Sequence, residues 1–146
     1  MNFPRCLSVV LLSAVLNCSL IRADDVAKKD PIDLEIDKMM DKDPSTQGVI
    51  VATDKGTQLW DAEMNKAYND LMKKLPEKER AALKKSQVAW LAYRDANTGL
   101  VTTVYGHAQG TMYLPMAHDE ALERVKARTL QLRNYLDILS ENDDSK

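Results

Sequence analysis

The chain has 146 residues, a length typical of one domain that can bury a core without disulfide or metal support. Hydrophobic residues make up 45% and charged residues 29%, and only five Gly and five Pro occur, which excludes long irregular stretches. The formal net charge is −2, and Lys and Arg are scattered among acidic residues, so no basic stripe for nucleic acid is present.

The first predicted element is a secretory signal peptide over residues 1–23. Arg5 supplies a positive start, residues 7–16 are almost wholly apolar, and Ala23 offers a small residue for cleavage. The apolar run is shorter than the roughly 20 residues that a membrane span needs. An uncleaved anchor helix and a lipid attached to Cys18 are the less favoured alternatives. We therefore expect a periplasmic or secreted protein with no transmembrane segment after signal removal.

Cleavage at this point would change both the redox chemistry and the charge of the chain. Cys6 and Cys18 would be lost, so the mature protein would have no disulfide although it enters an oxidising compartment. Loss of Arg5 and Arg22 would take the formal net charge from −2 to −4. A mildly acidic protein of this kind favours a cationic partner over nucleic acid or an anionic lipid.

Residues 24–45 are predicted to form a flexible leader followed by a short helix. Asp30 before Pro31 is typical of a helix N-cap followed by proline at the first helical position. Because Pro44 disfavours helical backbone in the residue before it, we expect this helix to end near Lys42.

Three long helices are predicted in the domain that follows, residues 46–140, with a polar tail over residues 141–146. The helices are expected at about residues 47–75, 77–105 and 111–139. Long helices joined by short connections pack antiparallel. The predicted fold class is therefore all-α, a small up-and-down bundle of three long helices plus a short N-terminal helix.

The start of the first long helix is ambiguous. Gly48, Gly56 and the β-branched run at residues 49–51 lower helix propensity, so a local strand at residues 49–51 is the competing interpretation. The second half of this helix is clearer, because its apolar residues recur at spacings of three and four. They are Trp60, Met64, Ala67, Tyr68, Leu71 and Leu75.

No set of residues predicts catalysis. The mature chain would lack cysteine, and the spacing of His107 and His118 matches no zinc site. No glycine-rich phosphate motif occurs either. We therefore expect no enzyme activity, no metal and no cofactor, and we interpret both histidines as exposed residues of a loop and a helix start.

One polar cluster on two neighbouring predicted helices stands out. Spacings of four and three place Asp61, Asn65 and Tyr68 on one side of the first long helix. If the helices are antiparallel, Arg94 can reach the Asp61 carboxylate below the surface, in a buried polar layer that fixes helix register. A ligand pocket is the alternative. The second helix contributes Gln87, Trp90, Tyr93, Arg94 and Asn97.

These residues fall in segments that resemble a known family. Residues 60–68, WDAEMNKAY, resemble the signature D-x-x-L-N-x-x-Y, with Met64 in place of Leu. Residues 87–96, QVAWLAYRDA, resemble the signature Q-x-x-W-x-x-[YF]-R-D-A closely. Shorter similarities occur at residues 110–112, 115–116 and 128–132. From about Thr46 to Leu136 the chain resembles the lysozyme inhibitor LprI N-terminal-like family, also called DUF1311.

The resemblance implies a small secreted or periplasmic α-helical domain and, for a few members, inhibition of lysozyme. Relatives usually carry cysteine where Ala52 and Thr98 stand here, and often another near Ala121. The resemblance implies that the cysteines at the first two positions form a disulfide, which this chain lacks. Such a disulfide typically contributes about 2–4 kcal/mol to stability. Any inhibitory surface of this chain would therefore depend on packing and hydrogen bonds.

The resulting functional hypothesis is a protein that binds and blocks a lysozyme-type muramidase. Lysozymes that attack bacterial walls are commonly basic, so the expected partner is lysozyme or another basic envelope protein. The candidate contact surface is the predicted loop from Gly106 to Tyr113, where His107, Gln109 and Tyr113 offer polar and aromatic groups. The alternative is a non-catalytic binding or structural module of the cell envelope with an unnamed partner.

Overall fold

The computed structural model describes residues 29–143, and four helices account for nearly all of them. They are α1 (Pro31–Lys42), α2 (Thr46–Lys74), α3 (Glu77–His107) and α4 (Tyr113–Asp143). No strand occurs within residues 29–143, so the strand considered at residues 49–51 is wrong and the all-α prediction is confirmed. The predicted signal peptide lies outside the described residues. Within them, none of the helices combines the length and apolar character needed to traverse a bilayer.

Local hydrogen bonds explain where the first two helices begin. Asp30 Oδ1 accepts a hydrogen bond from the Ile32 N–H at 2.9 Å, and Ser45 Oγ accepts one from the Gly48 N–H at 3.1 Å. Both side chains satisfy backbone donors that have no partner within the helix. The Ser45 cap starts α2 ahead of the β-branched run, which is why that run is helical despite its propensity.

The connection between α3 and α4 lies two residues further along the chain than predicted, at residues 108–112 instead of 106–110. Helix α3 continues to His107, and α4 begins at Tyr113 and continues to Asp143, into the segment predicted as a polar tail. Gly110 in the connection has a φ of +124°, a backbone conformation that a side chain with a Cβ rarely adopts.

The helices alternate in direction, as in an up-and-down bundle. Helices α2 and α4 make the most extensive contact and run parallel, since Trp60 meets Thr129 near the middle and Lys74 meets Ser140 near the end. Helices α1 and α3 run the opposite way on either side of this pair. The predicted architecture is thus confirmed.

Two apolar clusters form the core. The first joins α1, α2 and the first half of α4, and the second joins α2, α3 and the second half of α4. Trp90, which is half-buried, packs against both. The first cluster contains Ile36, Ala52, Trp60, Leu122 and Val125, and the second contains Met64, Ala67, Leu71, Leu83 and Leu132. Helix α3 buries only Leu83 and Gln87, both in its first half.

The fully buried Trp60 ties α1 to the bundle. Its indole N–H donates to Asp33 Oδ1 at 3.2 Å, and two cations of α4 lie over its ring. These are the Lys126 ammonium, 5.7 Å from the ring centroid, and the Arg133 guanidinium, at 5.1 Å. The same cations pair with α1, Lys126 with Asp33 at 2.8 Å and Arg133 with Asp30 at 2.7 Å. The short helix is therefore docked by charge as well as by packing.

The close approach of α1 to α2 depends on glycine. A Cβ at Gly56 would lie 2.3 Å from Ile36 Cδ1, and one at Gly48 would lie 2.2 Å from the Asp43 backbone oxygen. The two glycines that lower helix propensity in this stretch are thus the positions where α1 and the connection to α2 lie closest to α2.

Candidate functional site

The structure brings Arg94 and Asp61 together across the cleft between α3 and α2, but not in the interior. Arg94 Nη1 lies 3.8 Å from Asp61 Oδ1, and their side chains are 32% and 40% exposed. Arg94 also pairs with its neighbour Asp95 at 2.9 Å. The expectation that this ion pair is buried is wrong, because an open groove separates α2 and α3 at this level and leaves both side chains partly exposed.

The other members of the predicted polar network are divided between this groove and the surface. Asn65, Tyr68 and Gln87 line the groove, whose volume is about 480 Å³. The Asn65 amide donates to Asp61 Oδ2 at 3.0 Å. Tyr93 is 56% exposed on the outer face of α3, away from the network. The Arg94 guanidinium lies over the Trp90 ring, 5.6 Å from the ring centroid.

The buried polar contact between the helices is centred instead on Arg128 of α4, which is 6% exposed. Its Nε and Nη2 donate to Gln87 Oε1 at 3.1 and 3.0 Å. Nη2 also donates to Ser86 Oγ at 3.0 Å, and Nη1 to Gln131 Oε1 at 2.6 Å. The Gln87 amide in turn donates to Met64 Sδ at 3.6 Å. Arg128 thus links α4 to α3, and through Gln87 to α2.

All hydrogen-bond acceptors around Arg128 are neutral. No Asp or Glu between residues 29 and 143 forms an ion pair with it. Burial lowers the pKa of the guanidinium, as expected for a cation removed from water without a counter-charge. The sequence carried one signal of this position, since Arg128 begins the family-like segment at residues 128–132.

Ala52 and Thr98, the positions where the family resemblance implies cysteine in relatives, differ in burial. Ala52 is completely buried in the first core cluster, whereas Thr98 is exposed on α3. Thr98 and Ala121 line a second groove of about 470 Å³ between α3 and the α2–α4 pair.

The predicted contact loop lies at the end of the α3–α4 hairpin. His107 and Gln109 are exposed, and the half-buried Tyr113 places its ring centroid 6.1 Å from that of Tyr105. The Tyr105 hydroxyl donates to Glu120 Oε1 at 2.7 Å, which raises the pKa of that phenol. The Tyr105–Tyr113 contact therefore joins the two helices at the end of the hairpin. His107 and Gln109 take no part in this contact.

A larger feature of this hairpin is an uncharged stretch with an exposed apolar surface. Residues 96–118 contain no Asp, Glu, Lys or Arg, although such residues make up 29% of the chain. Five large apolar side chains in this stretch are 44–63% exposed, and we call them the apolar tip. They are Leu100, Val104, Met112, Leu114 and Met116. The signal that could have revealed the tip is the uninterrupted lack of charge.

Titratable side chains form no metal-binding group within residues 29–143, where no three His, Cys, Asp or Glu residues come together. His118 instead pairs with Asp54 through Nδ1 at 2.5 Å, joining the start of α4 to α2. This contact gives the histidine a structural role between two helices.

Comparison with known proteins agrees with the motifs and the fold. The profile of the family described as lysozyme inhibitor LprI matches residues 37–132. An uncharacterized protein from Burkholderia thailandensis has a similar crystal structure, with a TM-score of 0.74 and 35% sequence identity. The similarity covers 79% of this chain and 58% of that one, so this chain spans little more than half of that protein. No curated protein matches significantly. The chain belongs to the lysozyme inhibitor LprI family.

Proposed function

We propose that this protein is exported and blocks a lysozyme-type muramidase by binding it, without catalysing a reaction itself. Membership of a family described as lysozyme inhibitors supports the class of partner. The observation that carries the proposal is the apolar tip, which would serve together with His107 and Gln109 as the contact surface.

The chemistry of the tip is that of a protein interface. Interface cores are depleted of charged residues and enriched in tyrosine and methionine, and exposed apolar patches mark interaction sites. The uncharged stretch of residues 96–118 has both properties, with Met112 and Met116 exposed and Tyr113 beside them. A helical hairpin of this kind presents its apolar groups at one end of the bundle, which suits insertion into an enzyme cleft.

Charge would bring the partners together rather than hold them. Export with cleavage near Ala23 would leave a formal net charge of −4, from the loss of Arg5 and Arg22. Long-range attraction between this acidic protein and a basic muramidase would raise the association rate, whereas the uncharged tip would govern dissociation. Inhibition is therefore expected to weaken only modestly as salt rises.

A wall-lysis assay tests the proposal. The turbidity of a bacterial wall suspension is followed after addition of lysozyme, with and without micromolar protein. We expect slower clearing, with the rate falling as the protein concentration rises. Unchanged clearing at micromolar protein would contradict the proposal. Binding of lysozyme without slower clearing would favour the alternative, a non-catalytic binding module of the envelope.

A pair of variants on one helix tests the contact surface. Leu114 in the tip and Leu130 further along α4 are both exposed, at 57% and 45%. Leu114→Glu is expected to raise the concentration for half-inhibition at least about tenfold, equivalent to about 1.4 kcal/mol of binding free energy. Leu130→Glu should leave it unchanged. Equal effects of the two substitutions would exclude the tip as the contact surface.

A further inference from the structure

A buried cation without a counter-charge lies beside an apolar groove. Burying a charge is costly unless it is paired, and Arg128 has only neutral acceptors in its surroundings. One of these acceptors, Ser86, lines the groove. Because Ser86 Oγ accepts from Arg128, its own O–H remains available as a donor toward the groove.

The groove lies between the first half of α3 and the second half of α4 and has a volume of about 590 Å³, within the range of small-molecule sites. Its lining is mainly apolar. Leu71, Leu75, Leu83, Ile138 and Leu139 contribute to it. Along α3 it extends from Lys78 to Ser86, a rise of about 12 Å at the usual 1.5 Å per residue.

The polar groups of the groove are unevenly distributed. Lys78 and Glu79, at one end, offset each other in charge. At the other end stand Ser86 and Tyr135, and Tyr135 follows Arg128 by two helical turns along α4. The Tyr135 hydroxyl has no hydrogen-bond partner among residues 29–143. This end therefore offers two hydroxyl donors backed by an uncompensated positive charge.

We propose that the α3–α4 groove binds a single-chain amphiphile with an anionic head group. The alkyl chain lies along the leucine and isoleucine side chains, and the head group accepts hydrogen bonds from Ser86 and Tyr135. Arg128 stabilises the head group electrostatically from behind Ser86. The groove between α2 and α3 is less suited to an alkyl chain, because charged and polar side chains make up much of its lining, among them Asp61, Lys84 and Arg94.

Decanoate, whose chain suits the length of the groove, is the probe. Binding is measured by isothermal titration calorimetry below the micelle-forming concentration, with decanol and decyl phosphate in parallel. We expect decanoate to bind at least about tenfold more tightly than decanol, since only the carboxylate uses the polar end. The decyl phosphate titration shows which anionic head group is preferred. Decanol binding as tight as that of decanoate, or no binding of either anion, would overturn the proposal.

One matched pair of variants and two variants at the polar end locate the site. Ala82 lines the groove, whereas its exposed neighbour Ala81 does not. Ala82→Trp is expected to abolish binding and Ala81→Trp to preserve it. Arg128→Gln should weaken decanoate without weakening decanol. Because Arg128 is buried, Ser86→Ala provides the same test at an exposed position. Equal loss in both tryptophan variants, or unchanged decanoate affinity in Ser86→Ala, would contradict the assignment.

Discussion

At the scale of single residues, two tryptophans that look equivalent in the sequence have different roles. Trp60 is completely buried and donates a hydrogen bond to Asp33, whereas Trp90 is half-buried between the two core clusters. The loss of a large side chain costs most where the surroundings cannot collapse or admit water. Trp60 is therefore the residue on which the packing of α1, α2 and α4 converges.

Trp60→Ala is expected to lower the free energy of unfolding by about 3–5 kcal/mol. Trp90→Ala should cost less, because solvent already reaches this side chain. Urea unfolding followed by far-ultraviolet circular dichroism measures both changes. A larger cost at Trp90 than at Trp60 would contradict the assignment of the core.

The two interhelical arginines are expected to contribute differently to stability. A buried Arg94–Asp61 pair, as the sequence predicted, would have made Arg94→Ala cost about 3 kcal/mol or more. With both side chains about a third or more exposed, the cost is at most about 1 kcal/mol. Arg128→Ala should cost more, about 1–3 kcal/mol, since it leaves Gln87 Oε1 without its donor. Thermal or urea unfolding of the two variants measures both costs. A larger cost for Arg94→Ala than for Arg128→Ala would contradict this expectation.

The sequence predicted which side of each helix Arg94 and Asp61 occupy, but not their burial. Helical periodicity fixes the angle of a side chain around its own axis. The distance between two helices depends on every side chain along their contact, and here a groove separates α2 from α3 at the level of Arg94 and Asp61. For the same reason the burial of Arg128 could not be predicted, since it follows from the packing of α3 on α4.

At the scale of elements, α1 is an independent addition to the three long helices, attached by apolar contacts and ion pairs. Its limits were predictable from Pro31 and Pro44, which mark a start and a stop. Its docking was not, because Asp30 and Asp33 are charged residues whose partners lie about a hundred positions further along the chain.

Two glycines provide a matched test of the α1–α2 contact. Gly56→Ala is expected to destabilise the protein, since the strain against Ile36 of about 1–3 kcal/mol outweighs the gain in helix propensity of about 1 kcal/mol. Gly99 on α3 has open space around it, so Gly99→Ala should stabilise by about 0.5–1 kcal/mol. Urea unfolding measures both. Adding Ile36→Ala to Gly56→Ala should relieve part of the strain, and the absence of relief would contradict this mechanism.

The docking of α1 should also depend on acid. Burial alone would raise the pKa of Asp30, but the Ile32 N–H and Arg133 lower it further than burial raises it, so it lies below its ordinary value of 3.8. The stabilisation from Asp30 is therefore fully present above pH 3.8 and is lost as the pH falls through the lowered pKa. Asp30→Asn, which keeps a capping side chain, should be less stable than the parent at pH 7, and the difference should shrink below pH 3.8.

The exposed Asp41→Asn serves as the control, because its carboxylate makes no ion pair among residues 29–143. Urea unfolding at pH 7 and at pH 3 measures the stability of each of the two variants relative to the parent. A constant difference between Asp30→Asn and the parent at both pH values would show that Asp30 acts as a cap alone.

At the scale of the whole molecule, the two proposed binding features lie at opposite ends of the bundle. The α3–α4 groove adjoins the start of α3, and the apolar tip includes the end of that helix. An amphiphile and a protein partner would therefore not compete for one surface. The fold class and family were evident from periodicity and from residues 60–68 and 87–96. The tip was not, because the exposure of an apolar helical residue depends on whether another helix covers it.

The uneven burial of α3 has a consequence for the lifetime of its backbone hydrogen bonds. Its two buried residues, Leu83 and Gln87, both precede Trp90, so no fully buried side chain holds the stretch from Ala96 to His107. Local unfolding of that stretch exposes little buried apolar surface, whereas local unfolding of α2 disrupts both core clusters. In deuterated solvent, amides 96–107 should exchange by local opening, far sooner than those around Trp60, which wait for global unfolding. Binding of a partner to the hairpin would selectively slow the exchange of amides 96–107.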